Sequence, residues 1–546
     1  MLASGEHINH NKGTMAMEKS AGLYVPGDAD PNTVYSTGVN VQCIRDNGNF
    51  LYVEDPQLGT FTVGGTNTKY DKLMYALMTT PAMVRSEGIS QLCKDESSAT
   101  IPNTAYFTRR AGMTGLYHVN EYFSGISKLS PQQRLSVHLK QTLPDAAHKL
   151  FSHTSELRLQ KWGGAENKHE TDYPDLAVHG GIANVLGIFD VRVDVNMQLK
   201  CGKLPAWTTA ESPELTPDNI QYTASEALEW FDTDAAPDDI RAVARELGNL
   251  KNYSVDEEGN IAFLDEQQAL RFAKVYLLLA TEHWNDPVNR MQLYLLIEAI
   301  QRLILERRLP WMNAVDRGQM RRPEGYFYGI DHDITTALNE NHGHTDPTLF
   351  AIQGAMYPIA SVERRRFVRY KQHEYARFLL DDEARDYPSE HLEPKRVEFG
   401  LSHPMVSTIM QPATAEDYAM SQKMPVPHQD SERLLYDLMP LKNRYVDPRV
   451  MDPKTGQSKR LSEINANYKR LLEQQQALQG MKTVVELVFA EKFRANFASE
   501  VRKNDRNFDL LADMPPFTHD QKRQIINEAA ERAKAIAVAS GRLVLS

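Results

Sequence analysis

The stretch TLPDAAHKLFSH (142–153) sets Asp145, His148 and His153 close together. Further along stand the pair His169-Glu170, in KHETD, and the run DNIQYTASEAL (218–228), which holds Asp218, Tyr222 and Glu226. Before them, Arg109 opens RRAGMTGLY. Carboxylates and imidazoles are the donor types that hold first-row divalent metals. Imidazoles also move protons near neutral pH. The same side chains, when buried, need hydrogen-bond partners whether or not they do chemistry. Arg109, Asp145, His148 and His169 can therefore equally form a polar network that fixes helices in place.

Other signals are weaker or missing. The sequence has no GxxxxGK[ST], GxSxG, HExxH or GxGxxG, which removes the P-loop, serine-hydrolase, zincin and dinucleotide-binding readings. Two literal His-Asp dipeptides exist, His332-Asp333 and His519-Asp520. Both read better as helix starts, with Asp333 as a cap. The cluster His342, His344 and Asp346 lies in NHGHTDP, whose composition is that of a surface turn.

Taken in order, TRRAGMTGLY, PDAAHKLFSH, KHETD and DNIQYTASEAL resemble the motif series of the HD-domain superfamily of metal-dependent phosphohydrolases, on its deoxynucleoside triphosphate triphosphohydrolase-like branch. That series reads R-x-x-H-S-x-G, H-D-x-x-H-x-x-F-S-H, H-E and D-R-x-D-Y-x-x-R-D. TTPAMVRSEGISQL resembles the segment that precedes it, and LKNRYVDPRV with KRLSEI resembles the tail of bacterial members. The ordered series covers roughly residues 70–309, although no longer motif is intact. The resemblance implies a helical bundle, a nucleotide or other phosphate ester as ligand, a divalent metal (Mn, Fe, Mg or Zn), and self-association into a homo-oligomer. It places Arg109, Tyr222 and Glu226 at the substrate, Asp145 and Asp218 at the metal, and His148, His153 and His169 in catalysis.

The departures fall on the chemistry. Gly112 and Pro144 stand where the family has its two metal-binding histidines, and Asn219, Gln221 and Ser225 replace a base, an acid and a base. Two carboxylates alone hold Mg²⁺ weakly without substrate phosphates. His118 and His138 lie six residues from the two lost ligands; on a helix that is about 600° and turns them away. His148, three residues after Asp145, stays near its face, and its recruitment with His153 or His169 is the route to a rebuilt centre. The expectation is a divergent phosphohydrolase-like protein with an impaired metal centre, or none, that binds a nucleotide or phosphate ligand or regulates. The alternatives are an active phosphohydrolase with an atypical site and an oligomeric scaffold.

The elements that must position these residues are mostly α. Residues 1–65 read as an arm with short strands and turns, as in NGNFLYVEDPQLGTFTVGG. Residues 66–310 read as the HD-like helical domain, with a break at Pro81 and a helix start at Ser130-Pro131 in LSPQQRLSVHLKQTL. Another helix starts at Thr216-Pro217, and two more divide near 285–287. Residues 311–546 read as helix-rich, with an extended hairpin near 441–465 turning at Lys454-Thr455-Gly456 and a charged helix from His519. The net charge of −11 argues against a general nucleic-acid binder. Cys43, Cys93 and Cys201 are far apart and form no CxxC pair, as expected of reduced thiols. The longest apolar run, Val275–Ala280, is too short to span a membrane, and no apolar signal core opens the chain. A cytoplasmic location is the expectation.

Overall fold

The computed structural model describes residues 42–91, 107–152, 169–231, 238–284, 296, 299–300, 303, 308–309, 328–339, 362–370, 428–429, 433–438, 445–452, 454–477, 482–489 and 518–545. The architecture is mostly helical with small sheets, as the sequence pattern implies. A β-meander comes first: β1 (Cys43–Asp46), β2 (Phe50–Asp55) and β3 (Gly59–Gly64), antiparallel throughout. Helix α1 (Lys69–Met78) is capped by Thr68, and α2 (Pro81–Arg85) starts on Pro81, where the missing N–H is harmless.

The long helix α3 (Arg109–Ile126) starts at Thr108, whose hydroxyl accepts from the Ala111 N–H. Its two ends serve two cores. Met113 and Tyr117 join the first, with β1–β3, α1 and α2; Val119 and Phe123 join the second. Next come α4 (Pro131–Val137), with a Ser130–Gln133 capping box, α5 (His169–His179) and α6 (Ile182–Ile188). Helices α7 (Pro217–Phe231) and α8 (Asp238–Glu246), strands β4 (Tyr253–Val255) and β5 (Ile261–Phe263), and helix α9 (Glu266–Leu278) build the second core.

Later segments close both cores. Helix α10 (Asp331–Asn339) joins the first. A four-stranded sheet with strand order β6-β11-β8-β7 follows, from β6 (Val362–Tyr370), β7 (His428–Gln429), β8 (Arg433–Leu438) and β11 (Lys482–Phe489). The hairpin β9 (Arg449–Met451) and β10 (Ser458–Arg460) turns where Lys454-Thr455-Gly456 predicts, and β9 pairs in parallel with β5. Arg449 forks onto Glu214, with Nε–Oε2 at 3.0 Å and Nη2–Oε1 at 3.2 Å, which ties this hairpin to the second core. Helices α11 (Leu461–Ile464) and α12 (Ala466–Ala477) cover it. Helix α13 (His519–Ala539) packs into the first core, and β12 (Leu543–Leu545) pairs in parallel with β1. Segments far apart in sequence thus close the same units.

The decoys resolve as ordinary structure. Asp333 accepts from the Ile330 N–H at the start of α10 and is paired with Arg532. His519-Asp520 begins α13 behind the Thr518 cap. His342, His344, Asp346, Cys93 and the division near 285–287 lie outside the described residues. Among the described residues no helix is long and apolar enough to cross a membrane.

Candidate functional site

One expectation fails locally, with a clear cause. LSPQQRLSVHLKQTL predicts one helix, but α4 stops at Val137. Residues His138–Thr142 form a π-turn, with the Leu143 N–H reaching the His138 carbonyl, and Leu143–Ala147 form a tight 3₁₀ turn. Pro144 has no N–H for the Lys140 carbonyl and its ring would crowd that group in an α-helix. The chain widens before the proline and tightens after it. In a 3₁₀ turn residues i and i+3 eclipse, which brings His148 toward Asp145.

Asp145 is the hub. His148 Nε2 lies 3.7 Å and His169 Nε2 3.4 Å from its Oδ1, while Arg109 Nη1 lies 3.3 Å from its Oδ2. The two imidazoles stack with centroids 3.8 Å apart. Burial alone would raise the Asp145 pKa. The close His148 and His169 imidazoles and the Arg109 guanidinium outweigh it and hold the group well below the usual carboxylate range. Asp145 is the anion around which the cluster is arranged.

Three supports hold this geometry. Arg109 is fixed by Nε donating to Ser152 Oγ at 2.7 Å, and its backbone N–H donates to the Ile89 carbonyl at 2.8 Å. Phe151 and Ser152 both sit at left-handed φ, 53° and 56°, which is uncommon for side-chain-bearing residues. Asp331 stabilises that turn: its Oδ1 accepts from Phe151 N and its Oδ2 from Ser90 N, both at 2.7 Å. Arg85, fully buried, donates to the carbonyls of Ala146, His148 and Gly329. Burial lowers its pKa to about 10. The persistent Phe151-Ser152 pair is thus a positioning device for Arg109.

The facing wall is α7. Thr216 and Asn219 cap it reciprocally, each accepting the other's backbone N–H. Asn219 also donates to the Tyr222 hydroxyl at 2.8 Å, which lies 2.9 Å from the Tyr276 hydroxyl. The residue standing in place of a family base is therefore a capping residue. Trp284 donates its indole N–H to Glu226. Gly115, at the α3–α7 contact, would bring a Cβ within 3.1 Å of Gln221, so the glycine permits the close approach.

A cavity of about 450 Å³ separates the walls and lies between the two cores. Arg109, Asp145, His148, His169, Asp218, Tyr222 and Glu226 all line it, as do Lys140, Gln141, Pro144 and Trp284. The sequence-predicted residues from four separate segments therefore share one cleft. His153 lies outside the described residues. Gln91, Lys140 and Trp284 also line it without being singled out in the sequence. So do the supports Arg85 and Asp331 lie outside the sequence reading; the break imposed by Pro144 was the one legible hint for Lys140.

A metal ion here would depend on the donors that meet at Asp145. Asp145, His148 and His169 offer one ligand atom each, all within 4.8 Å of one another. Their types suit Mn, Fe or Zn. Yet Asp218, expected at the metal, is not in this three-donor cluster, and Arg109 already places a guanidinium on the one carboxylate. The space at Gly112 is also filled, because a Cβ there would come within 2.8 Å of Gln91 Oε1. Among the described residues, this set alone does not fit a tightly held resident ion.

No protein-family model and no curated protein matches the chain. Solved structures similar to it include a phosphohydrolase from Bacteroides thetaiotaomicron, at 12% identity and a TM-score of 0.47, covering 81% of this chain and all of that one.

Proposed function

We propose that the chain is a divergent phosphohydrolase-like protein that binds a nucleotide or other phosphate ester in the cleft between the 138–148 turns and α7 and carries no complete resident metal centre. The observation that carries this reading is the convergence of Arg109, Asp145, His148 and His169 with Asp218, Tyr222 and Glu226 on one cavity. Arg109 supplies a fixed cation where a metal would otherwise balance Asp145, and guanidinium is suited to phosphate oxygens. Tyr222 and Trp284 bring aromatic surface to the opposite wall. Such a pocket binds and orients, and its role is that of a ligand-binding or regulatory module.

A second reading, an atypical metal-dependent phosphohydrolase, is favoured by the meeting of two imidazoles on Asp145 Oδ1. The two readings separate in one experiment. Deoxynucleoside triphosphates are added to the purified chain with and without Mn²⁺, and thermal stability and phosphate release are both recorded. Ligand-induced stabilisation without turnover supports the binding module. Mn²⁺-dependent phosphate release that Asp145→Ala abolishes establishes the hydrolase. Neither effect removes the phosphate-ligand reading.

A further inference from the structure

We propose that Lys140 is the phosphate anchor of this cleft, a cation relocated from α7 to the π-turn. The inference rests on the phosphate-ligand reading above. Four carboxylates line the cavity, Asp145, Glu170, Asp218 and Glu226, against two full cations, Arg109 and Lys140. Arg109 is committed, through Nε to Ser152 and through Nη1 to Asp145. Lys140 is different. It is exposed and lines the cavity, and its side chain has no hydrogen bond or ion pair among the described residues. Its ammonium is a mobile point charge with three donors, suited to a phosphate that must be reached rather than held in a fixed fork.

The turn that carries Lys140 gives the inference its structural basis. Pro144 withholds the N–H that the Lys140 carbonyl would accept in an α-helix, and the chain opens into the π-turn at His138–Thr142. One residue therefore has two consequences. It puts a ring without a donor atom on the cavity wall, and it forces the irregular turn that carries a lysine to that same wall. Meanwhile the α7 positions Asn219 and Ser225 are engaged locally, Asn219 with Thr216 and Tyr222, Ser225 with Gln221. They leave anion recognition to the opposite side of the cleft. Gln141, beside Lys140, is held by its amide donating to the Thr208 carbonyl at 3.0 Å, which fixes the turn against the second core.

The test is a titration of the full chain with inorganic tripolyphosphate and, separately, with dATP, read by calorimetry at two salt concentrations. The variants are Lys140→Met, Lys140→Arg and, as an exposed control on the β9–β10 turn, Lys454→Met. The expected result is binding of a probe by the wild type, a loss of about tenfold to a hundredfold in Lys140→Met as for a lost charged hydrogen bond, a weaker salt dependence in that variant, and recovery in Lys140→Arg. Lys454→Met should match the wild type. Wild-type binding that Lys140→Met leaves unchanged overturns the anchor while the phosphate reading stands. A wild type that binds neither probe overturns both. Circular dichroism on each variant separates lost binding from lost folding. An unfolded Lys140→Met passes the decision to Lys140→Gln: retained affinity there overturns the anchor.

Discussion

Two clusters among the described residues are made of the same parts. In the cleft, His148 and His169 meet Asp145 beside Arg109. At the junction of α5 and α13, His179 meets Asp175 beside Lys522, and His519 packs on the His179 ring. The second pair of rings is 4.6 Å apart and tilted by 43°, with His179 Nε2 at 3.4 Å from Asp175 Oδ1. The difference lies in what occupies the carboxylate. Lys522 Nζ sits 3.0 Å from both Asp175 oxygens, and the Tyr328 hydroxyl donates to one of them. That cluster is a fastening between helices. In the cleft the carboxylate is instead met from one side by two imidazoles and opens on a cavity. Imidazole, carboxylate and cation in one place do not make a site; convergence on a cavity and rigid support distinguish one.

The largest expected effect follows from Arg109. Arg109→Ala should lower phosphate-ligand affinity by about a hundredfold or more, since it takes the guanidinium off Asp145 and leaves that carboxylate's charge facing the phosphate in the cleft. Lys522→Ala, its counterpart in the other cluster, should leave that affinity unchanged. Equal losses in a thermal-shift titration would erase the distinction drawn here.

Support should differ as well. Arg85 is fully buried and holds three carbonyls, whereas Asp175 is 43% exposed at its side chain. Arg85→Met should cost about 3–5 kcal/mol, as for a broken buried charged network. Lys522→Met should cost about 1 kcal/mol or less, as for an exposed pair. Urea midpoints with unchanged slopes would measure both. A small cost for Arg85→Met would mean that the 146–148 segment holds itself.

Rebuilding the resembled motif sharpens the first cluster further. Gly112→His alone should destabilise by about 1 kcal/mol, because its Cβ displaces the flexible end of the Gln91 side chain. Adding Gln91→Ala should recover most of that cost. Together with Pro144→His the change should create metal affinity measurable by Zn²⁺ or Mn²⁺ titration. No gain of affinity would show that the motif positions do not correspond.

The smallest effect belongs to the fastening. Burial lowers the His179 pKa below its ordinary 6.5; Asp175 opposes this, and Lys522, His519 and Arg523 add to it. The unfolded chain then binds the proton more readily than the folded one. This stabilising term is complete above about pH 6.5 and declines as pH falls toward the folded value. The Tyr328 hydroxyl also faces this junction, on Asp175. His179→Asn should flatten the pH 5–7 dependence of stability by a few tenths of a kcal/mol, up to about 1. An unchanged profile would assign the acid loss to other groups.

Much of the helical scaffold was legible in the sequence. The caps at Ser130 and Thr216, the charged helix from His519, the break at Pro81 and the turn at Lys454-Thr455-Gly456 all follow from local chemistry. The motif resemblance singled out Arg109, Asp145, His148, His169 and Asp218, which line one cavity, together with His153, which lies outside the described residues. What escaped depends on contacts between distant segments. Arg85 and Asp331 act through carbonyls and amides whose positions no periodicity encodes. Asp331 stood beside the dismissed pair His332-Asp333. Lys140 reaches the cavity from a π-turn, which helical periodicity does not anticipate. Gln91 fills the space at Gly112 from a segment linked by backbone bridges, including that from Gln91 N to the Phe107 carbonyl.

The most direct measurement is metal content. The chain is produced with Fe, Mn and Zn available, purified without chelator, and analysed for metal per chain alongside Asp145→Ala. The account predicts well under one equivalent, unaffected by the substitution, since Arg109 already balances Asp145. Near one equivalent in the wild type, lost in Asp145→Ala, would contradict it and make the three-donor cluster a working centre.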